Sequence, residues 1–270
     1  MRYEWISFTT DYGLDDPFVG ICHGVIAGIA GGVRVIDLSH GVPRGDIRRG
    51  AHVLAQSVPY LPAAVHLAVV DPDVGTSRRG VVIEAPGGVL VGPDNGLLLP
   101  AADVLGGAMR AYELTSAQYR LDQVSATFHG RDVFAPAAAH LATGVAPADL
   151  GPPVTLPMLD RFATPAPSVR PGAITAEVLS VDRFGNIQLA ASSGSLSDAG
   201  FADGEPVTVR LSERRYEGVV GSTFADVDNG ELIVLADSAG LVALAINGGS
   251  AAARLGLTRG HFPECTITTR

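Results

Sequence analysis

The residues best suited to chemistry lie in one loop, which reads VVDPDVGTSRR. The apolar run at residues 65–70 is short and rich in Val, so we interpret it as a buried strand. Asp71 directly follows this strand and therefore lies at its carboxyl end, where open α/β sheets bind their ligands. Pro72 and Gly75 favour a tight loop, which can fold the guanidinium of Arg78 back toward the carboxylate. From these residues alone, an Asp that caps its own turn beside solvated arginines is an equally good interpretation.

Three further polar residues occur where a predicted element begins or ends. Asp11 follows a β-prone run at residues 4–10. His129 lies at the start of a predicted helix, where free N–H groups and the helix dipole favour negative charge. Asn186 carries an amide that can both donate to and accept from a purine edge. Each residue also has a structural interpretation: a turn carboxylate, a capping or buried histidine, and a hairpin asparagine.

The composition narrows the classes of function. The chain has 270 residues, of which 47% are apolar, and its formal net charge of −9 argues against nucleic acid or an anionic membrane surface as a partner. All 19 basic residues are Arg, so there is no lysine for a Schiff base or a phosphate-binding loop. Cys22 and Cys265 match no metal-binding spacing, and we interpret them as reduced thiols of a cytoplasmic protein. We expect no signal peptide and no membrane span.

The first part of the chain predicts an α/β domain, because strand-like and helix-like segments alternate along it. Asp15, Asp16 and Pro17 indicate the start of a first helix, and Asp46 indicates the cap of a second. Such alternation favours a mostly parallel central sheet with helices on its faces. The predicted strands are residues 4–10, 33–38, 65–70, 80–85 and 89–91, and the predicted helices are residues 17–30, 47–58, 97–105 and 133–143.

The composition changes after this domain. A proline-rich segment at residues 156–172 is interpreted as a linker between an N-terminal domain, residues 1–155, and a C-terminal domain, residues 173–270. In the second domain the helical pattern largely disappears, and short apolar runs alternate with Gly, Asp and Ser turns. This pattern predicts a small antiparallel barrel or sandwich. Its predicted strands are residues 174–181, 207–211, 215–221, 232–236 and 241–246.

Six segments, in the same order, resemble one enzyme family across nearly the whole chain. They are TDYG with Asp16, VDPDVGTSRR, GPDNG, FHGRD, DRFGN and SAGLVALAINGGSAA. Together they resemble the S-adenosyl-L-methionine (SAM) hydrolases, or SAM hydroxide adenosyltransferases, which are related to fluorinase and chlorinase. The resemblance implies an N-terminal α/β domain with a C-terminal antiparallel β-barrel, hydrolysis of SAM to adenosine and L-methionine, and no cofactor or metal. It also implies a homotrimer whose sites lie between the N-terminal domain of one subunit and the C-terminal domain of the next.

The resemblance also implies roles for individual residues. Asp71, Arg78 and His129 match the set that holds the attacking water in the hydrolases, whereas the halogenases have Tyr in place of this Asp. Among the substrate-binding residues, Asp11 matches the ligand of the ribose diol. The residues that match ligands of the methionine end are Asp16, Asp182 and Ser238. The residues that match the surroundings of the adenine are Phe184, Asn186, Phe224 and the backbone near Gly248.

Three positions depart from the family pattern. Asp73 replaces a small residue of the loop, Gly45 stands where relatives often have an aromatic residue, and Ala239 stands where some halogenases have Arg. We expect Asp73 to change the shape or charge of the loop. The other two departures suggest a reshaped ligand pocket and not a different reaction.

The chemistry of the implied substrate agrees with these residue types. The sulfonium makes the ribose C5′ electrophilic and leaves as neutral methionine, so the leaving group needs neither an acid nor a metal. What the reaction needs is a positioned, partly deprotonated water in line with the C–S bond. Arg78 and the helix N-terminus beside His129 favour hydroxide character, and either Asp71 or His129 can accept the proton. The sequence leaves open which of the two is the base.

Three other functions stay open at this level. A halogenase would use the space beside Gly130 for a halide, although the carboxylate of Asp71 would repel that ion. A non-catalytic nucleoside-binding protein would bind adenosine or SAM without turnover. A metal-dependent phosphoesterase would use as ligands Asp11, Asp71, Asp73 and His129.

Overall fold

A computed structural model describes residues 2–258 and 263–270 of the chain. The chain forms two compact units, Met1–Phe162 and Ala163–Arg270. The division falls within the proline-rich segment that the sequence suggested as a linker. Both ends of that segment are structured, because Leu156–Met158 forms a 3-10 turn in the first unit and Ser168–Arg170 pairs as a strand in the second.

The first unit is built around a seven-stranded sheet. Its strands are β1 (Trp5–Thr10), β2 (Arg34–Ser39), β3 (Val65–Val69), β4 (Gly80–Ala85), β5 (Gly88–Pro93), β6 (Arg110–Glu113) and β7 (Pro153–Val154). They lie in the order β2-β1-β3-β5-β4-β6-β7. Pairing is parallel from β2 to β5, which confirms the predicted parallel sheet. The remaining pairs, from β5 through β4 and β6 to β7, are antiparallel, so the sheet as a whole is mixed.

Helices cover both faces of this sheet, as the alternation of the sequence predicts. They are α1 (Phe18–Ile29), α2 (Ile47–Ser57), α3 (Leu99–Val104) and α4 (Ala135–Thr143). Successive side chains of β3 point to opposite faces: Leu67 belongs to the buried cluster that includes α1 and α4, and Ala68 to the cluster that includes α2 and α3. Every residue of β3 is therefore buried. Within the described ranges, no helix is long and apolar enough to cross a membrane.

The two predicted helix starts have different outcomes. Asp46 caps α2 as predicted, since its side chain accepts a hydrogen bond from Arg49 N over 2.9 Å. The carboxylate cap predicted at Asp15 and Asp16 is wrong: Pro17 occupies the N-cap position of α1, and no side chain caps this helix. Both carboxylates are exposed. Proline already fixes its own φ near the helical value, so the helix begins without a side-chain cap.

The second unit is a closed β-barrel. Its strands are β8 (Ser168–Arg170), β9 (Ala173–Val181), β10 (Ile187–Ser192), β11 (Pro206–Leu211), β12 (Arg214–Val220), β13 (Leu232–Ala236), β14 (Leu241–Ile246) and β15 (Glu264–Thr269). The strand order is β10-β14-β13-β12-β11-β15-β9-β8, and pairing of β10 with β9 closes a ring of seven strands. All pairs are antiparallel, as predicted, except that β12 and β13 are parallel. The long connection at residues 221–231 returns the chain to the opposite end of the barrel, which a parallel pair requires.

Candidate active site

Two of the candidate carboxylates lie at the same edge of the first unit's sheet. β1 and β3 are adjacent and parallel, and Thr10 pairs in register with Val69. Both strands therefore end at the same edge, and Asp11 and Asp71 follow those ends. This is the edge at which open α/β sheets bind their ligands.

Asp71 and Arg78 form a bidentate ion pair. Arg78 donates from Nε to Asp71 Oδ1 over 3.0 Å and from Nη2 to Asp71 Oδ2 over 2.5 Å. The side chain of Asp71 is 5% exposed and that of Arg78 is 7% exposed. A buried, two-bond pair of this kind is stronger and more directional than a surface ion pair. The loop therefore folds Arg78 back onto Asp71, and this arginine is not solvated.

His129 completes a chain of three polar side chains. Arg78 Nη2 lies 3.1 Å from His129 Nδ1. A guanidinium can only donate, so Nδ1 is the acceptor and the neutral imidazole carries its proton on Nε2. Burial, and after it the positive charge of Arg78, lower the pKa of His129 below 6.5. At neutral pH the ring is therefore uncharged and offers Nε2–H as a hydrogen-bond donor.

The pKa of Asp71 shifts in the opposite direction. Burial raises the pKa of this carboxyl above 3.8, Arg78 and His129 oppose the rise, and the negative charge of Asp73 adds to it. A carboxylate whose pKa is raised is a better proton acceptor than an ordinary one. The Asp73 side chain, one of the departures from the family pattern, therefore influences Asp71 through its charge.

A neighbouring turn holds the loop in place. Arg79 donates from Nε and Nη2 to Asp94 Oδ2 over 3.0 and 2.7 Å. Asn95 Nδ2 donates over 2.9 Å to the carbonyl of Val70, the residue just before Asp71. The two consecutive arginines thus have different tasks, because one pairs with Asp71 and the other fixes the loop to the GPDNG turn.

Gly75 permits a close approach between two parts of the site. Its φ is +83°, a region that side chains rarely adopt, and a Cβ placed there would lie 2.3 Å from the carbonyl oxygen of Ala126. Ala126 precedes His129 by only three positions. The glycine therefore brings the loop of Asp71 against the segment that carries His129.

An interrupted helix presents His129. This residue is the N-cap of a π-helical turn, Gly130–Phe134, which continues into α4. Pro136 lacks the N–H that would bond to the carbonyl of Asp132, and that carbonyl accepts from Leu121 N over 2.9 Å instead. The helix predicted after His129 is confirmed, and its first turn is widened at the proline.

Asp132 fixes the segment in front of this helix. Its side chain is fully buried and accepts from Ser125 N over 2.8 Å and from Arg131 Nε over 2.5 Å. Asp132 has no role predicted from the sequence, and neither have Asp94 and Asn95, which hold the loop. The signal for all three was the presence of charged and amide side chains inside the FHGRD and GPDNG turns, but the partners of Asp94 and Asn95 are distant in sequence.

Tyr12 fills the space beside Gly130. A Cβ on Gly130 would lie 2.0 Å from Tyr12 Oη. The Tyr12 ring packs edge-on against Phe128 at 5.8 Å between centroids, and Phe128 packs against Phe18 at 5.2 Å. The phenol of Tyr12 therefore occupies the side of Gly130 on which a side chain would project.

The two other candidate carboxylates of this unit differ in their surroundings. Asp11 Oδ2 accepts a hydrogen bond from Gly45 N over 2.8 Å, which ties the end of β1 to the loop before α2. Gly45 has a φ of +70°, a backbone conformation that residues with a side chain rarely adopt. Asp16 is exposed in the segment before α1.

Three candidates of the second unit share one hairpin turn between β9 and β10. Asp182 Oδ1 accepts from Phe184 N over 2.8 Å and from Asn186 N over 2.9 Å, and Oδ2 accepts from Asn186 Nδ2 over 2.8 Å. The hairpin-turn interpretation of this motif is therefore correct for the backbone. Asp182 orients the amide of Asn186, while Phe184 at the tip is 76% exposed.

The remaining candidates of the second unit lie in three other turns. Phe224 begins a 3-10 turn and is 49% exposed. Ser238 is exposed in the turn between β13 and β14, and Gly248 is exposed in the turn after β14, so these two lie at opposite ends of that strand. The resemblance assigns Asp182 and Ser238 to the same end of the substrate. In the structure these two residues lie in different turns, and Asp182 shares its turn with Asn186.

The ligand set of a metal-dependent phosphoesterase does not form. Across residues 2–258 and 263–270, no metal-binding group of three ligand atoms within 4.8 Å of one another contains Asp11, Asp71, Asp73 or His129. In addition, the guanidinium of Arg78 bridges Asp71 and His129 and would repel a cation there. The geometry favours the positioning of a water or another small nucleophile.

Comparison with known proteins identifies the family of the chain. Residues 6–151 match the SAM hydroxide adenosyltransferase N-terminal domain, and residues 176–262 match the SAM hydroxide adenosyltransferase C-terminal domain. The sequence is 58% identical to (R)-S-adenosyl-L-methionine hydrolase of Salinispora tropica, with 95% of each chain covered.

More distant relatives cover the chain as fully. The sequence is 28% identical to fluorinase of Actinopolyspora mzabensis, with 97% of this chain and 96% of the fluorinase covered. The crystal structure of an uncharacterized conserved protein from Thermotoga maritima matches with a TM-score of 0.90 at 34% identity, covering 97% of this chain and 99% of that one. The chain therefore belongs to the SAM hydroxide adenosyltransferase family.

Proposed function

We propose that the protein hydrolyses SAM to adenosine and L-methionine by attack of an activated water on the ribose C5′. The observation that carries the proposal is the buried chain of Asp71, Arg78 and His129, in which hydrogen bonds fix each side chain. The relative from S. tropica is named a hydrolase of (R)-SAM. We propose for this chain the same reaction and the same (R) configuration of the substrate at sulfur.

The leaving group determines what the protein must supply. As the oxygen of the water forms its bond to C5′, the C5′–S bond breaks, and its electron pair stays on sulfur to give the neutral thioether of methionine. No proton has to reach the sulfur, and no metal has to stabilise it. The protein has to align the water with the C–S bond and remove its proton. We therefore propose that the reaction uses no cofactor and no metal.

The hydrogen bonds favour Asp71 as the base. The lone pair of neutral His129 is bound to Arg78 at Nδ1, and Nε2 already carries a proton, so this ring can donate to the water but cannot accept from it. Asp71 has a raised pKa and keeps further lone pairs beside its bonds to Arg78. Asp71 takes the proton, His129 orients the water, and Arg78 stabilises the developing hydroxide.

We assign the other candidates to substrate binding. Asp11 would bind the ribose diol, and three acceptors, Asp16, Asp182 and Ser238, would bind the methionine end, where acidic groups suit a cationic sulfonium and ammonium. The adenine would lie against Phe184, Asn186, Phe224 and the backbone near Gly248. The exposure of the two aromatic rings supports this assignment, because a planar base would cover them.

We propose that the protein works as a homotrimer. The candidate catalytic residues belong to the first unit and most substrate-binding candidates belong to the second, and the family resemblance implies that a site combines these units from different subunits. A heterologous interface that closes into a ring gives three equivalent sites. We also propose a cytoplasmic location, supported by Cys22 and Cys265, which are buried free thiols.

Product analysis tests the proposed reaction. Purified protein is incubated with SAM in the presence and absence of high chloride, and the products are separated by chromatography. We expect equal amounts of adenosine and methionine in both buffers, because Tyr12 fills the space beside Gly130 and Asp71 repels halide. The main product of a halogenase would be 5′-chloroadenosine, and a binding protein would give no turnover over hours. Exhaustive chelation, checked by metal analysis, should leave the rate unchanged.

A further inference from the structure

A second cluster of polar side chains lies in the first unit. It consists of His23 on α1, Asp37 on β2 and His40, which follows β2. His23 Nε2 lies 2.9 Å from Asp37 Oδ1, and His40 Nε2 lies 3.0 Å from the same oxygen. All three potential ligand atoms lie within 4.8 Å of one another, and this is the one such group among the described residues.

The ring of His40 is buried without a complete set of partners. His40 is 6% exposed. Its Nε2 is close to Asp37, yet within the described parts of the chain it makes no hydrogen bond of acceptable direction. Buried ring nitrogens normally have a partner. Two atoms at this separation that form no directed bond with each other can both be ligands of a third atom.

The other ring nitrogen of His40 is held in place. His40 Nδ1 lies 2.9 Å from Thr10 Oγ1, and the ring packs edge-on against Phe8 at 4.9 Å between centroids. A metal-binding histidine usually has its second nitrogen hydrogen-bonded in this manner, which fixes the orientation and the tautomer of the ring. When Nδ1–H donates to Thr10, Nε2 carries the lone pair that a metal requires.

The atom types and spacing indicate the class of metal. Zn²⁺ binds nitrogen and oxygen ligands tetrahedrally at about 2.0–2.2 Å, which places neighbouring ligand atoms roughly 3.3 Å apart. The observed separations of 2.9 and 3.0 Å would have to widen by only a few tenths of an ångström. Two imidazoles and one carboxylate suit Zn²⁺ or Co²⁺, whereas Mg²⁺ and Ca²⁺ prefer oxygen ligands. The side chains of His23 and Asp37 are 34% and 43% exposed, so water can reach a fourth position.

We propose that His23, Asp37 and His40 bind one divalent transition-metal ion, with Zn²⁺ as the best match. The ion would join α1 to the end of β2. The carbonyl of His40 also accepts from Gly13 N over 2.8 Å, so the ion would stabilise the segment that follows β1. The site has a structural task and contains none of the candidate catalytic residues, so its presence or absence does not decide the proposed hydrolysis.

Metal titration with matched variants tests this site. Full-length protein without a histidine tag is stripped of metal and titrated with Zn²⁺ by calorimetry, and with Co²⁺ by visible absorption. His23→Gln removes a half-exposed ligand, and Asp37→Asn provides a second cluster variant. His140→Gln is the matched control, because His140 lies on α4 outside the cluster. Circular dichroism and melting without metal check that each variant is folded.

We expect one Zn²⁺ per chain and a metal-dependent rise in melting temperature for the wild type and for His140→Gln. Both cluster variants should bind Zn²⁺ at least tenfold more weakly and should lose the intense absorption of tetrahedral Co²⁺. Equal Zn²⁺ affinity in the wild type and in folded His23→Gln and Asp37→Asn would overturn the proposal. So would the absence of measurable Zn²⁺ binding to the wild type, which would leave an ordinary hydrogen-bonded cluster.

Discussion

Arg78 donates a hydrogen bond from Nη2 to Nδ1 of His129 over 3.1 Å, and thereby determines which nitrogen of the ring carries the proton. The same Nη2 donates to Asp71 Oδ2. Because arginine stays protonated in proteins, it cannot act as the acceptor in either bond. The residue types alone leave two possible bases, whereas this arrangement favours Asp71 as the base of the proposed reaction and leaves His129 as a hydrogen-bond donor.

Replacing the proposed base should abolish most of the turnover. Asp71→Asn keeps the size and shape of the side chain but cannot take a proton, so we expect kcat to fall by about 10²–10⁴-fold. Binding of adenosine, measured by calorimetry, should change little. Asp103→Asn is the control, since Asp103 forms an exposed pair with Arg161 and should keep the wild-type rate. A near-normal rate in Asp71→Asn would move the chemistry to another residue.

The pH dependence of kcat/KM should show an acid limb below pH 6.5. The proposed mechanism requires neutral His129, whose pKa lies below 6.5, and ionised Asp71, whose pKa lies above 3.8. Both groups take up protons as the pH falls, so activity is full at neutral pH and is lost on acidification. Because the pKa of His129 is lower in the folded protein than in the unfolded chain, protonation of this ring disfavours the folded state. The stabilisation by neutral His129 is therefore fully present above pH 6.5 and is lost as the pH falls through the folded-state pKa. An acid limb centred above pH 6.5 would contradict the assignment of a neutral His129.

Gly75→Ala should damage both stability and activity. The new Cβ would meet the carbonyl oxygen of Ala126 at 2.3 Å and separate the loop of Asp71 from the segment of His129. Gly204→Ala is a close control, because Gly204 has the same φ of +83° but no atom within 4 Å of the added Cβ. We expect Gly204→Ala to cost about 1 kcal/mol of unfolding free energy from backbone strain alone. Urea unfolding should give a clearly larger loss for Gly75→Ala, and equal losses would show that the contact with Ala126 is unimportant.

Much of the fold could be predicted because its signals are local. Alternating apolar runs and Asp46 gave the strand-helix order and the cap of α2, and the strands of the barrel were mostly found. Three strands of the second unit were not predicted. β8 lies in the segment interpreted as a linker. β10 and β15 were missed although they carry a period of two: Ile187, Leu189 and Ala191 are buried along β10, and Cys265 and Ile267 along β15. Short side chains and threonines weakened the contrast between the faces of these strands.

The candidate site was less predictable, because its contacts join residues that are distant in sequence. The pairing of Arg78 with Asp71 could be predicted, since Arg78 follows Asp71 by only seven positions in one loop. The different task of Arg79 depends on Asp94, and the filling of the space at Gly130 depends on Tyr12, more than a hundred residues earlier. The parallel pairing of β12 with β13 depends on the path of a connection that no local pattern describes.

Mixed oligomers should recover activity if sites are shared between subunits. Asp71→Asn lacks a candidate catalytic residue of the first unit, and Asn186→Ala lacks a candidate adenine ligand of the second. After subunit exchange of equal amounts, verified by mass spectrometry, each mixed trimer with shared sites has one site with both native halves, and the average over all trimers is about a quarter of the sites. We expect activity near that fraction of the wild-type value. Continued inactivity of verified mixed trimers would reject shared sites while leaving the hydrolase proposal intact.

The most direct test of the proposed mechanism traces the oxygen atom of the attacking water into the products. The protein is incubated with (R)-SAM in water enriched in ¹⁸O, and adenosine and methionine are analysed by mass spectrometry. Attack at C5′ predicts one ¹⁸O in the 5′-hydroxyl of adenosine and none in methionine, with faster release from the (R) than from the (S) configuration at sulfur. Unlabelled adenosine, or free adenine or 5′-chloroadenosine as the main product, would contradict the proposal that a water held by Asp71, Arg78 and His129 attacks C5′.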